Sequence, residues 1–101
     1  MQPQGHVQLV HGLWNMQYGP QEALDAPRFC IPNGTPDGSV CLEQGMSEEI
    51  IETLRERGHK VVVVDGWQRA VFGRGQIIKR ADNGVLWAGS DGRADGCAIA
   101  Y

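Results

Sequence analysis

The chain has 101 residues, 42% of them hydrophobic and 21% charged, with a formal net charge of −3. That suffices for one domain with a modest core, and the excess of acid over base excludes the dense positive surface that a nucleic-acid partner requires. No apolar run approaches the ~18 residues of a membrane span, and the N-terminus lacks the charged-then-apolar pattern of a secretory signal.

The first predicted element is a helix over Gln4–Tyr18. Pro3 suits a first helical turn, where a missing N–H costs nothing. Val7, Val10, Leu13, Trp14 and Tyr18 recur at three- and four-residue steps, while Leu9 and Met16 add apolar weight elsewhere. A helix apolar on more than one face is expected between layers. Gly19 is expected to end it, and Pro20 restarts a short helix, PQEALDA, which Pro27 stops. RFCI can be extended. Residues 32–38, PNGTPDG, form a loop with two prolines and two turn dipeptides.

SVCLEQG alternates Val40 and Leu42 against polar neighbours, as a half-buried strand does. Ser47 caps the next helix. Glu48 and Glu49 fill its first turn, Ile50, Ile51 and Leu54 line one face, and Gly58 ends it. HKVVVVD is too short for a helix and rich in β-branching, so a strand with both faces covered is expected. RAVFGRG reads either way. QIIKRADNGVLWAG predicts a hairpin turning at Asp82, Asn83 and Gly84, and CAIAY predicts a last strand. The predicted fold class is α+β, a mainly antiparallel sheet with packed helices, in the order α-α-β-α-β-β-β-β.

The cysteines, Cys30, Cys41 and Cys97, are odd in number and contain no C-x-x-C pair. That argues against a disulfide framework and against a zinc site built on close pairs. They read as small buried hydrophobes. A nucleophilic cysteine would need His6, His11 or His59 brought to it, and no local motif does so.

GSDGRADG, residues 89–96, places Asp91, Arg93 and Asp95 where a calcium loop has its first, third and fifth positions. Arginine at the third and the missing glutamate at the twelfth reject that reading. FGRGQII has glycines at 73 and 75 but isoleucine at 78, within a strand pattern, so the dinucleotide fingerprint fails. Glu48, Glu49, Glu52 and Glu56 read as a solvated helix face. Asp91, Arg93 and Asp95 are expected to form an internal ion-pair and turn network that fixes the last strand. Trp14, Trp67 and Trp87 read as core or interface anchors, with a binding pocket as the alternative.

Two segments carry a resemblance. Residues 1–29, with PQGH and EALDAPRF, and residues 84–101, ending GSDGRADGCAIAY, resemble the C-terminal part of the small subunit of bacterial γ-glutamyltranspeptidases. GMSEEIIETLRERGHKV and FGRGQII fall between them in the family's order. Gly92 stands where the family usually has proline, and Ala100 where it has glycine. The resemblance implies one segment, residues 1–101, of an αββα N-terminal-nucleophile hydrolase sandwich. In that family a threonine freed by self-cleavage attacks a γ-glutamyl amide such as glutathione, with its own amine as base. That threonine, the carboxylate-binding arginine and the serine and glycine pairs of the pocket match no position here. No catalytic residue, cofactor-binding residue, metal ligand or cofactor is therefore assigned to the chain. The family is often periplasmic or secreted.

The expected function is the structural C-terminal part of a γ-glutamyltransferase or hydrolase, inactive alone. Its expected partner is the remainder of the enzyme or a second copy of itself, because the first helix and the valine strand need cover. The alternatives are a stand-alone module binding a small molecule or protein near a tryptophan, and part of a related amide acylase.

Overall fold

The computed structural model describes Met1–Tyr101. In chain order the elements are α1 (Gln2–Trp14), α2 (Pro20–Asp25), β1 (Phe29–Cys30), β2 (Ser39–Glu43), α3 (Glu48–Glu56), β3 (Lys60–Val64), a 3-10 helix (Gly66–Phe72), β4 (Gln76–Arg80) and β5 (Leu86–Ser90). The architecture is α+β, and two of the three strand pairings are antiparallel. The chain divides into two compact units, Met1–Gly5 with Pro27–Gly73, and His6–Ala26 with Arg74–Tyr101.

The first unit holds a sheet of order β1-β2-β3. β1 runs antiparallel to β2, whereas β2 and β3 are parallel from Ser39 opposite Lys60 to Glu43 opposite Val64. A parallel pair needs a crossover, and α3 supplies it. Ser47 Oγ accepts from Ile50 N–H at 3.3 Å, as the capping pattern predicts. At the other end His59 N–H reaches back to Leu54 O (3.1 Å) and Gly58 N–H to Arg55 O (2.9 Å). Gly58 has φ +90°, the left-handed geometry that glycine adopts without strain.

The half-buried reading of β2 gives way to a central strand on which Cys41, Leu42 and Glu43 are all buried. Cys30, Cys41, Val64 and Phe72 form the core cluster, with Met1 packed against it. The valine strand is covered less than expected. Val64 is buried, but Val62 is 47% and Val63 45% exposed. RAVFGRG resolves into the end of the 3-10 helix, with Phe72 fully buried.

The second unit is the β4–β5 hairpin with α2 against it. Ala81 N–H bonds to Val85 O and Gly84 N–H to Ala81 O, both at 2.9 Å, and Asn83 Oδ1 accepts from Val85 N–H at 3.1 Å. This is the turn expected from Asp82-Asn83-Gly84. A Cβ on Gly89 would lie 2.8 Å from both Gln21 N and the Pro20 carbonyl carbon, so the approach of α2 to β5 depends on glycine there.

α1 differs from the expectation in extent and cover. It ends at Trp14, and the left-handed residue beyond it is Gln17 (φ 57°), not Gly19. Gly19 is instead the N-cap of α2, its N–H donating to the Glu22 carboxylate at 3.3 Å. Val7, Val10 and Trp14 are more than half exposed. CAIAY is also corrected: residues 97–101 form no strand, because no ladder partner lies beside them, and Ile99 is 76% exposed. Cys97 is exposed, unlike Cys30 and Cys41.

Candidate functional site

The motif GSDGRADG folds into a buried polar knot. Asp91 follows directly on β5, and its side chain is sealed by the turn it initiates: Arg93 N–H donates to Oδ1 at 3.0 Å and Ala94 N–H to Asp91 O at 3.0 Å. Gly75 N–H donates to Asp91 Oδ2 at 2.8 Å. Arg93 Nη1 sits 2.9 Å from Asp91 Oδ1 and donates to Leu24 O at 2.7 Å, and Nη2 donates to Ala26 O at 3.1 Å. The pair is almost wholly removed from solvent, with the Arg93 side chain 4% and that of Asp91 0% exposed.

This is an internal ion-pair and turn network, as the sequence suggests, but its target is different. It ties the C-terminal carbonyls of α2 and the lead-in to β4, not a terminal strand, and Asp95 stays exposed outside it. A helix C-terminus carries unsatisfied carbonyls and partial negative charge, which a guanidinium fork complements. Beside the knot, Gln21 clamps β5 from α2. Its Nε2 donates to Ser90 O at 2.9 Å and its Oε1 accepts from Ser90 N–H at 3.0 Å.

The first unit contains a second knot that sequence reasoning did not single out. Arg28 N–H donates to Glu43 Oε2 at 3.0 Å, and Arg28 Nη1 donates to Phe72 O at 3.2 Å. Arg69 Nη1 lies 3.6 Å from Glu43 Oε1. Glu43 is 1% and Arg28 3% exposed. The available signal was spacing: Glu43 follows Cys41 by two residues, so it shares a strand face with a core residue.

The tryptophans divide. Trp67 is 99% exposed. Trp14 lines an open cleft of about 540 Å³ with Leu13, Gln17, Ile77, Ile78 and Lys79. Trp87 lines one of about 320 Å³ with Tyr18, Pro20 and Lys79. Neither is lined by a carboxylate, histidine or thiol. No three His, Cys, Asp or Glu residues gather in a group that could hold a metal ion. His11 Nδ1 is 2.8 Å from Asn15 Nδ2, one turn along α1. Burial, and then the neighbouring Cys41, push the Cys30 thiol above its ordinary range, the reverse of what an activated nucleophile needs.

The fold and its buried knots define an α+β segment. The family model for gamma-glutamyltranspeptidase matches residues 1–101, and the chain belongs to that family. The cephalosporin acylase of Bacillus halodurans has a solved structure that superposes with a TM-score of 0.84 at 40% identity, covering 98% of this chain and 18% of that one. The oxamate amidohydrolase proenzyme of Klebsiella pneumoniae is 34% identical over 83 residues, 80% of this chain and 16% of that protein. The glutathione hydrolase-like YwrD proenzyme of Bacillus subtilis is 28% identical over 100 residues, 97% of this chain and 19% of that protein. The chain thus spans less than one fifth of each of these relatives. Its fold class is that of part of an N-terminal-nucleophile hydrolase.

Proposed function

We propose that this chain is the structural C-terminal part of an enzyme that transfers or hydrolyses γ-glutamyl amides, with the bond-breaking groups supplied by the remainder of that enzyme. The observation that carries the reading is how the most distinctive family motif is used. Asp91 and Arg93 direct their hydrogen bonds to Gly75, Leu24, Ala26 and each other, inside the fold. A guanidinium held this way stiffens a scaffold instead of gripping a substrate carboxylate.

The partner is the remainder of the enzyme. Apolar side chains on α1 and the hairpin support this: Val7 is 67%, Trp14 71%, Ile78 74% and Leu86 65% exposed. An apolar surface of that kind is normally covered. When the chain is alone, a second copy takes that place. Coexpression with the threonine-bearing portion of a family enzyme lacking the corresponding segment tests the reading. The expected result is co-purification with recovered turnover of a chromogenic γ-glutamyl anilide. Failure to co-purify contradicts it.

A second reading, a related amide acylase or amidohydrolase, is favoured by the 40% identity to a cephalosporin acylase and the 34% identity to an oxamate amidohydrolase. The reconstituted enzyme separates the two. Preference for N-acyl amides lacking a γ-glutamyl group selects the second.

A further inference from the structure

Cys30 and Cys41 stand directly opposite each other across the antiparallel pairing of β1 and β2. The phase of the ladder follows from a neighbouring bond. Glu43 N–H donates to Arg28 O at 2.9 Å, so Arg28 and Glu43 are a hydrogen-bonded pair. Alternation makes Phe29 and Leu42 a non-hydrogen-bonded pair and returns Cys30 and Cys41 to a hydrogen-bonded one, with Cα atoms about 5.5 Å apart. That separation falls at the usual value for a disulfide. Opposed residues in a ladder project from one face, and both cysteines lie in the cluster with Val64 and Phe72. Both are free thiols in this structure.

We propose that Cys30 and Cys41 are a redox modification site that closes into a reversible cross-strand disulfide. The oxidant is a small-molecule disulfide. One cysteine thiolate attacks a sulfur of that reagent and expels one thiolate, leaving a mixed disulfide on the protein. The second cysteine thiolate attacks the protein sulfur of the mixed disulfide and expels the other. The protein loses two protons and two electrons, and the reagent leaves as two thiols.

The ladder also makes the bond labile. Opposed Cβ atoms in a sheet lie about 4.5–5.5 Å apart, whereas a disulfide draws them to about 3.8 Å. The strain of closing that gap raises the reduction potential, and strained disulfides are the readily reduced ones. β1 is only two residues long and lies at the sheet edge, so it can shift to accept the bond and open to admit the reagent. Exposed Cys97 has no place in the closed pair.

The test uses the full chain carrying Cys97→Ser, incubated with oxidised glutathione in native buffer, then unfolded and alkylated. The expected product is a single chain lighter by two hydrogens, with no alkylatable thiol and a peptide map joining Cys30 to Cys41. Its circular dichroism matches that of the reduced chain, its melting temperature is several degrees higher, and millimolar reduced glutathione reverses both changes. Two alkylatable thiols after oxidation, a persistent glutathione adduct, a link between two chains, or closure only in denaturant would each overturn the proposal. The further variant Cys41→Ala must hold a glutathione adduct or a free thiol at Cys30; loss of two hydrogens from a single chain of that variant would also overturn it.

Discussion

Arg93 Nη1 lies 2.9 Å from Asp91 Oδ1, and the same guanidinium donates to the carbonyls of Leu24 and Ala26, 69 and 67 residues away in sequence. Two residues of one turn thereby hold a helix end contributed by the other part of the chain. Arg93→Ala leaves the Asp91 carboxylate buried without its counter-charge. The expected loss of stability is about 3–5 kcal/mol, read from urea unfolding. Arg93→Lys restores charge but not the fork, so it recovers less than half of that loss. A loss below 1 kcal/mol for the alanine variant would show that the knot is not structural.

Gly89 is the point at which β5 meets the start of α2. Gly89→Ala places a methyl group 2.8 Å from Pro20 and Gln21 backbone atoms. Separating them costs about 1–3 kcal/mol and weakens the Gln21 clamp on Ser90. Hydrogen exchange of the Ser90 amide measures this directly: protection falls in Gly89→Ala and in Gln21→Ala, while the amides of β2 keep theirs.

The Cys30 thiol gives a pH dependence. Its folded value is raised by burial first and by Cys41 second, so the folded state keeps a proton that the unfolded chain releases. The sign follows: stability is complete below the ordinary thiol range and declines as pH rises through it towards the folded value. Denaturation of the reduced chain between pH 7 and 10 is expected to show this decline. Cys30→Ala is expected to flatten it. An unchanged slope in the variant would remove Cys30 as the cause.

Exposed apolar side chains predict self-association of the isolated chain. Sedimentation equilibrium is expected to show a concentration-dependent dimer that Ile78→Glu with Leu86→Lys dissociates, since both sites are largely exposed. A monomer across the concentration range would mean that these side chains tolerate water unaided.

Local chemistry made much of this fold legible. Ser47 and Gly58 bracket α3 because capping is a short-range matter, and Asn83-Gly84 marks the hairpin for the same reason. Legibility failed where a distant partner decides the outcome. CAIAY has strand composition but no strand beside it. The valine run gave β3 its conformation but not its neighbour, because parallel pairing with β2 depends on the crossover. α1 stops short of Tyr18 because the chain turns at Gln17, a residue that carries no turn signal. The Asp91–Arg93 pair was visible as a motif, but its acceptors Leu24 and Ala26 are backbone carbonyls, which no side-chain pattern reveals. For Glu43 the strand spacing from Cys41 is a signal, but its partner Arg28 lies in a loop with no such period, so the pair is legible from one side only.

If the chain is scaffold, the reacting groups lie elsewhere in the enzyme. Turnover by the purified 101-residue chain tests this most directly, with a chromogenic γ-glutamyl anilide and an N-acyl anilide as substrates. Release of chromophore at the buffer rate, on a sample whose circular dichroism shows it folded, is the predicted result. Saturable release proportional to protein concentration and abolished by heat would contradict it.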